Sequence, residues 1–315
     1  MVTSPSTTPP VLIATCWMHA GPTEPFVGRM WSPWSLRSRV RELARVGFTG
    51  IGLFHDDLAH VLEEEAVGGT VEDRLRWVRT LLEDNGITTV ELEFLTQWML
   101  PADDPRRRAE QPVRELLFTA AEQLRARHVK VGNLGIPVEP AALQERFSAL
   151  CADAAAVGTV VALEILPPDP TVRSMADALA LTRPNPNSGL FFDTWHINNI
   201  THITYDEIAA LRTSDIAGCE LDDGLAFDEE DAAALRRPGA PDFIALTCNT
   251  RRIPGEGDYD VVGFVQALRA AGFDGPWGNE ILSEEYRRLP KEIAFRRVHR
   301  ATSRLLLESG SNGSR

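Results

Sequence analysis

Cysteine is scarce in this 315-residue chain: Cys16, Cys151, Cys219 and Cys248 lie far apart, and no CxxC is formed. That spacing excludes zinc ribbons and thiol redox motifs, and isolated thiols of this kind read as reduced and mostly buried. Long apolar runs are missing as well. Val11–Met18 is too short to cross a bilayer, and no stretch reaches the roughly 18 uninterrupted apolar residues that a span needs. Residues 1–10 carry no basic n-region, so the sequence reads as a soluble, cytoplasmic protein without a membrane partner. Basic charge is in deficit: 32 Lys+Arg face 45 Asp+Glu, a formal net charge of −13. Such a charge repels polyphosphate, which argues against nucleic acid as a partner. There is no GxGxxG after the first apolar run, no P-loop and no GxSxG. Gly255-Glu256-Gly257 lacks a third glycine and places a carboxylate where phosphate would need open amides.

What the chain does have is enough apolar residues, 43% of it, to bury one sizeable core. Apolar strand-like runs alternate with longer amphipathic segments, the pattern of a parallel sheet. Eight strands are expected, at Val11–Cys16, Gly50–Phe54, Thr88–Phe94, His128–Gly132, Val160–Ile165, Gly189–Phe192, Ile216–Leu221 and Pro276–Ile281. Helices are expected at Leu36–Val46, Val71–Asn85, Arg106–Ala126, Ala141–Val157, Met175–Leu181, Tyr205–Leu211, Val261–Ala271 and Glu284–Leu307. Eight β/α pairs point to an α/β fold, a single (β/α)8 TIM barrel over residues 11–308, between a disordered head (1–10) and a flexible tail (309–315). One connection is long. From Asp222 to Arg252, between strand seven and helix seven, it carries an acidic run and a Pro/Gly-rich turn, and such a loop on the catalytic face is usually functional.

Barrel enzymes place their reacting groups at the C-terminal ends of strands, and here those ends are acidic. Glu164 closes strand five, Asp193 strand six and Glu280 strand eight, and Glu220 lies near the end of strand seven. Four carboxylates converging on one mouth repel each other unless a cation neutralises them. An all-oxygen set with at most one imidazole nearby favours Mn²⁺ or Mg²⁺, with Co²⁺ admitted, over Zn²⁺. His55 after strand two and Glu93 after strand three face the same mouth by position; His19 is a weaker candidate. Trp17, Trp31, Trp34, Trp98 and Trp195 follow strand ends where a ring could stack on a sugar or aglycone.

The segment from Arg251 through Pro254-Gly255-Glu256-Gly257-Asp258, then Gly272-Phe273-Asp274-Gly275 and Glu280, resembles the closing signature of the sugar phosphate isomerase/epimerase family, also called xylose isomerase-like or AP endonuclease family 2 barrels. Asp193-Thr194-Trp195-His196 is similar to that family's DxxH, and Val161-Ala162-Leu163-Glu164 to its strand-five glutamate. The resemblance covers nearly the whole chain. It implies one divalent metal on Glu164, Asp193 and Glu280, with His196 and Arg251 binding substrate. It puts Glu220 where the family usually has histidine, so the fourth ligand is Glu220, or Asp222 or water in its place. Which of Arg251 and Arg252 points inward is left open.

The resemblance implies a metal-dependent isomerase or epimerase acting on a keto sugar, sugar phosphate or inosose-like polyol. Glu164 and Glu280 would serve as base and acid around a metal-stabilised enediolate. Loss of a β-leaving group from the same enediolate would instead give a lyase or dehydratase. An AP endonuclease-like phosphodiesterase needs a histidine-rich trinuclear zinc site, and the chain has seven histidines, several away from strand ends. A barrel that has lost catalysis and serves as a binding subunit is the third expectation. The partner is a small carbohydrate, and self-association is left open.

Overall fold

A computed structural model describes residues 9–200, 202–235 and 241–311. Its strands are β1 (Leu12–Ala14), β2 (Gly50–Phe54), β3 (Thr89–Leu95), β4 (His128–Val131), β5 (Val160–Glu164), β6 (Ser188–Asp193), β7 (Ile216–Leu221) and β8 (Trp277–Asn279). All pair in parallel in sequence order, and β8 returns to β1 to close the barrel. The (β/α)8 architecture expected from the sequence is therefore the one formed. β2 and β7 span the expected residues, while β1 and β8 are shorter. After Ala14 the chain turns into the helical segment Cys16–His19, and Thr15 ties the two strand ends together by donating its Oγ1 to Asn279 O at 2.6 Å.

Strands in a parallel barrel are buried on both faces, which is why they read as apolar runs. Three of them alternate. Glu91 and Glu93 on β3, His128 and Lys130 on β4, and Glu220 on β7 share the parity that faces the barrel interior. Their neighbours Val90, Leu92, Val129, Val131, Cys219 and Leu221 join the core packed under the helices.

The helix Leu36–Val46 shows how local signals set boundaries. Ser35 accepts a hydrogen bond from Ser38 N at its start, and Gly47 ends it at φ +117°, where a Cβ would also lie 2.7 Å from the His299 ring. The expected helix Glu284–Leu307 is instead two, Glu284–Arg287 and Lys291–Ser311. Pro290 cannot donate to a preceding turn and disfavours helical geometry at Leu289. The second of these runs to Ser311, past the expected boundary at 308. The helix His55–Glu64 was not expected, and the long connection after β7 contains the helices Glu229–Leu235 and Pro241–Asn249. Among the described residues, no helix is long and apolar enough to cross a membrane.

His19, weighed as a mouth residue, is structural. Its Nε2 donates to Gly52 O at 3.0 Å and its Nδ1 accepts from Arg39 Nη1 at 2.9 Å, while Arg39 clamps Asp57 with both nitrogens. Burial, then the Arg39 charge, lowers the His19 pKa from 6.5 to about 4. A depressed folded-state pKa gives stability that is complete above 6.5 and lost as the pH falls toward 4. The loss expected over that window is about 3 kcal/mol. Urea unfolding of the His19→Gln variant at pH 7 and pH 4 checks it: the variant is expected to lack this step, and an unchanged pH dependence would refute the assignment.

Candidate active site at the barrel mouth

Strand ends bring the acidic residues together as the barrel closes. Glu164 and Asp193 are the last residues of β5 and β6, Glu280 follows β8, Glu93 lies on β3, and β7 carries Glu220 with Asp222 just beyond it. The register sets Glu93 beside Lys130 and Asp193 beside Glu220. With His196 and Arg251 these residues are all buried, none more than 4% exposed.

Two protein cations sit among them. Arg251 Nη1 is 2.5 Å from Asp193 Oδ2, 2.6 Å from Asp222 Oδ2 and 3.0 Å from Glu280 Oε2. Its Nη2 bonds Thr247 Oγ1 at 3.1 Å and lies 3.3 Å from His196 Nε2, and its guanidinium packs on the Trp195 ring. Lys130 Nζ is 2.7 Å from Glu220 Oε2 and 2.8 Å from Glu93 Oε2, and it stands 3.7 Å from Glu164 Oε1 and from Glu280 Oε1. His196 Nε2 is a further 3.7 Å neighbour of Glu164 Oε1.

A cleft of about 550 Å³ opens above this cluster. Its floor is Glu93, Lys130, Glu164, His196, Arg251 and Glu280. Its walls are Trp17, Phe54, Phe94, Leu134, Leu166 and, from the helix Pro241–Asn249, Phe243, Ile244 and Thr247. A charged floor under an apolar wall orients a polar ligand while keeping water out.

The charges do not balance. Among the described residues, Glu93, Glu164, Asp193, Glu220, Asp222 and Glu280 face two cations, Lys130 and Arg251. Burial, reinforced by Glu280 and Asp193 against the pull of Lys130, pushes Glu164 up to about 8. Burial also raises Glu220, with Glu280 adding to it, and Asp222, with Asp193 adding to it. Burial and then Arg251 hold His196 well below its usual value, as a neutral imidazole. Glu93 Oε1, Glu164 Oε1, Glu220 Oε1, Asp222 Oδ1 and His196 Nδ1 are buried without a hydrogen-bond partner. Excess carboxylate and orphaned donors fit a divalent cation.

The four expected ligands fall into two groups. Glu164 and Asp193 gather with His196, and Glu220 and Glu280 gather with Glu93, the ligand atoms within each group lying within 4.8 Å of one another. His196, expected on substrate, therefore has the geometry of a ligand too. Arg251, not Arg252, points inward; Arg252 pairs with Glu285 at 3.5 Å. Glu93 reaches the cleft floor. His55 starts a helix, accepts from Phe94 N at 3.3 Å, leans on the Phe54 ring and is not among the residues lining the cleft. Of the tryptophans only Trp17 lines the cleft; Trp98 donates to Gly132 O, Trp195 packs on Phe243, Trp31 stacks on His60 and Trp34 packs on Phe295.

The Gly255–Asp258 turn is a packing device. Asp223 accepts from Gly255 N and Tyr259 N, and a Cβ on Gly257 would lie 2.3 Å from Gly224 O. Lys130 was missed by sequence reasoning. Its signal was a lysine flanked by Val129 and Val131 inside an otherwise apolar strand, a place where lysine is rare unless paired.

Residues 40–300 match the family described as "Xylose isomerase-like TIM barrel". A 3-dehydroshikimate dehydratase of Pseudomonas aeruginosa is 24% identical over 271 residues, 81% of this chain and 37% of that protein. The chain thus spans about a third of that relative's length. Among solved structures, a xylose isomerase-like TIM barrel/4-hydroxyphenylpyruvate dioxygenase fusion protein superposes with a TM-score of 0.72 at 19% identity, over 96% of this chain and 44% of the fusion. The IOLI protein with a binding zinc atom superposes at 0.70 with 16% identity, covering 96% of this chain and 99% of its own.

Proposed function

Because the chain belongs to the xylose isomerase-like TIM barrel family, we propose that it is a divalent-metal-dependent enzyme that moves a proton α to the carbonyl of a keto sugar or cyclic polyol, as an isomerase or epimerase. One observation carries this: Glu164 and Glu280 open onto the same cleft floor from the ends of β5 and β8, with β6 and β7 between them, each 3.7 Å from Lys130. Two carboxylates so placed can work on a substrate carbon lying between them. Glu164 takes the α proton on an Oε, and Glu280 returns a proton to the opposite face for epimerisation or to the neighbouring carbon for isomerisation. Glu164, Asp193 and Glu280 would hold the ion, Mn²⁺ or Mg²⁺, with His196 on the ion or on a substrate oxygen. Bound there, the ion supplies Lewis-acid polarisation of the carbonyl. The cleft's cations, Lys130 and Arg251, are already engaged by carboxylates, so its described lining offers no cradle for a phosphate and favours an unphosphorylated substrate.

A second reading rests on the P. aeruginosa relative, a dehydratase. There the same proton abstraction by Glu164 would be followed by loss of a β-hydroxyl protonated by Glu280. Incubation with Mn²⁺ in D₂O and a panel of ketoses, inososes and 3-dehydroshikimate, followed by NMR, tests both. Deuterium at the α carbon is expected for at least one compound, with a new alkene signal if elimination follows. No exchange and no affinity across the panel would favour a non-catalytic binding barrel.

Metal removal gives a check without substrate. Chelation is expected to lower the thermal midpoint, and Mn²⁺ at about a hundred times its Kd to restore about 2.7 kcal/mol. A midpoint indifferent to Mn²⁺, Mg²⁺ and Co²⁺ would count against the ion.

A further inference from the structure

Of the two compact acidic groups, one has a cation of its own. Lys130 Nζ lies 2.7 Å from Glu220, 2.8 Å from Glu93 and 3.7 Å from Glu280, which are the members of the second group. We propose that Lys130 is the resident cation of this group, that Glu220 is its counter-ion and not a metal ligand, and that the ammonium positions Glu164 and Glu280 from beneath. The proposal rests on the metal-dependent reading above and narrows its ligand set.

Three observations support it. An ammonium has three donors. Two are spent on the short contacts to Glu93 and Glu220, and the remaining side of Nζ faces Glu164 Oε1 and Glu280 Oε1, equidistant at 3.7 Å. Second, the two kinds of carboxylate face different spaces. Glu164 and Glu280 line the cleft, whereas Glu220 is absent from its lining and instead borders a narrower space inside the barrel with Glu91, His128 and Phe191; Glu93 and Lys130 border both. An ion entering from the cleft meets Glu164 and Glu280, while Glu220 is not in the cleft lining and is bonded by Lys130, which is. Third, the ammonium cannot withdraw. It is carried by a strand of the closed barrel on a buried residue, and rests 4.8 Å from the Phe191 ring centroid and 5.9 Å from that of Phe94. A divalent ion placed on Glu220 would be held against this fixed positive charge in a site with little water to screen it.

The test is a double-mutant cycle read by metal binding, with no turnover needed. Mn²⁺ affinity is measured by calorimetry for the wild type, Lys130→Met, Glu220→Gln and the double variant, and thermal unfolding is followed on the metal-stripped forms. Glu220→Gln leaves the ammonium less neutralised beside Glu164 and Glu280, and is expected to weaken Mn²⁺ binding about tenfold. Lys130→Met is expected to bind Mn²⁺ more tightly than wild type, a gain that a merely structural role would not produce. The double variant is expected to return to within about threefold of wild type, and its metal-stripped form to lose less stability than the two single variants together. A double variant as weak in Mn²⁺ as Glu220→Gln, or weaker, makes Glu220 a ligand and overturns the proposal, as does loss of metal in Lys130→Met. Additive stability losses overturn the pairing. Wild-type protein that takes up no Mn²⁺ defeats the metal-dependent reading itself, a different failure, and the stability cycle then still decides whether Lys130 and Glu220 are a pair.

Discussion

Glu164→Gln lowers turnover by about a thousandfold or more while the protein stays folded: this is the expected result for a residue that carries the transferred proton. Glutamine keeps the shape and the hydrogen-bonding plane of the side chain but neither accepts nor releases a proton near neutral pH. Glu164 is well placed for the effect to be chemical. Its Oε1 has no hydrogen-bond partner to lose, and the Lys130 ammonium and the neutral His196 imidazole both stand 3.7 Å from it. Removing a carboxylate that burial pushes up to about 8 also relieves a crowded site, so stability is expected to hold or rise in the metal-stripped protein. Glu280→Gln is expected to cost turnover comparably, with a larger structural price because Glu280 Oε2 is bonded to Arg251 at 3.0 Å. Turnover near wild type in either variant would remove that residue from the proton path. Deuterium exchange measured alongside turnover separates loss of the base from loss of the acid.

Arg251→Leu is expected to destabilise the protein by about 3–5 kcal/mol, the range found when one partner of a buried ion pair is removed. Three carboxylates share Arg251 Nη1 at 2.5, 2.6 and 3.0 Å. Without it Asp193, Asp222 and Glu280 are buried charges at close quarters. The loss is expected to shrink as the pH falls, because protons then neutralise the stranded carboxylates, and to shrink on adding Mn²⁺. Denaturant unfolding at pH 7 and pH 5 reads both. A variant of unchanged stability with a raised KM alone would confine Arg251 to substrate binding.

The strands were legible because a barrel strand is apolar on both faces, and a short Val/Ile/Leu-rich run between glycine-ended helices is hard to read otherwise. The strand-end acids Glu164, Asp193 and Glu280 were legible for the converse reason, as carboxylates closing such runs. Lys130 and the pairing of Glu220 were not, because attention to the closing residue of each strand passes over the penultimate lysine of β4, and nothing in the sequence pairs it with Glu220. His55 shows the same limit: position after β2 puts it near the mouth, but that the chain continues into a helix with the imidazole against Phe54 and the Phe94 amide is decided only by the fold. The break before Lys291 was written in Pro290, which lacks a backbone donor and disfavours helical geometry at Leu289.

The sequence by itself determined the barrel, its order of strands and the acidic character of its mouth, because these follow from local periodicity and from which residues close each apolar run. Only the tertiary structure decided how those charges are shared. Lys130 meets Glu220 across 90 residues of chain, and Arg251 meets Asp193 across 58. Such contacts are set by the register of eight strands closing on one another: a shift of one residue in β4 would turn Lys130 out of the barrel and into the helices, and one in β7 would do the same to Glu220.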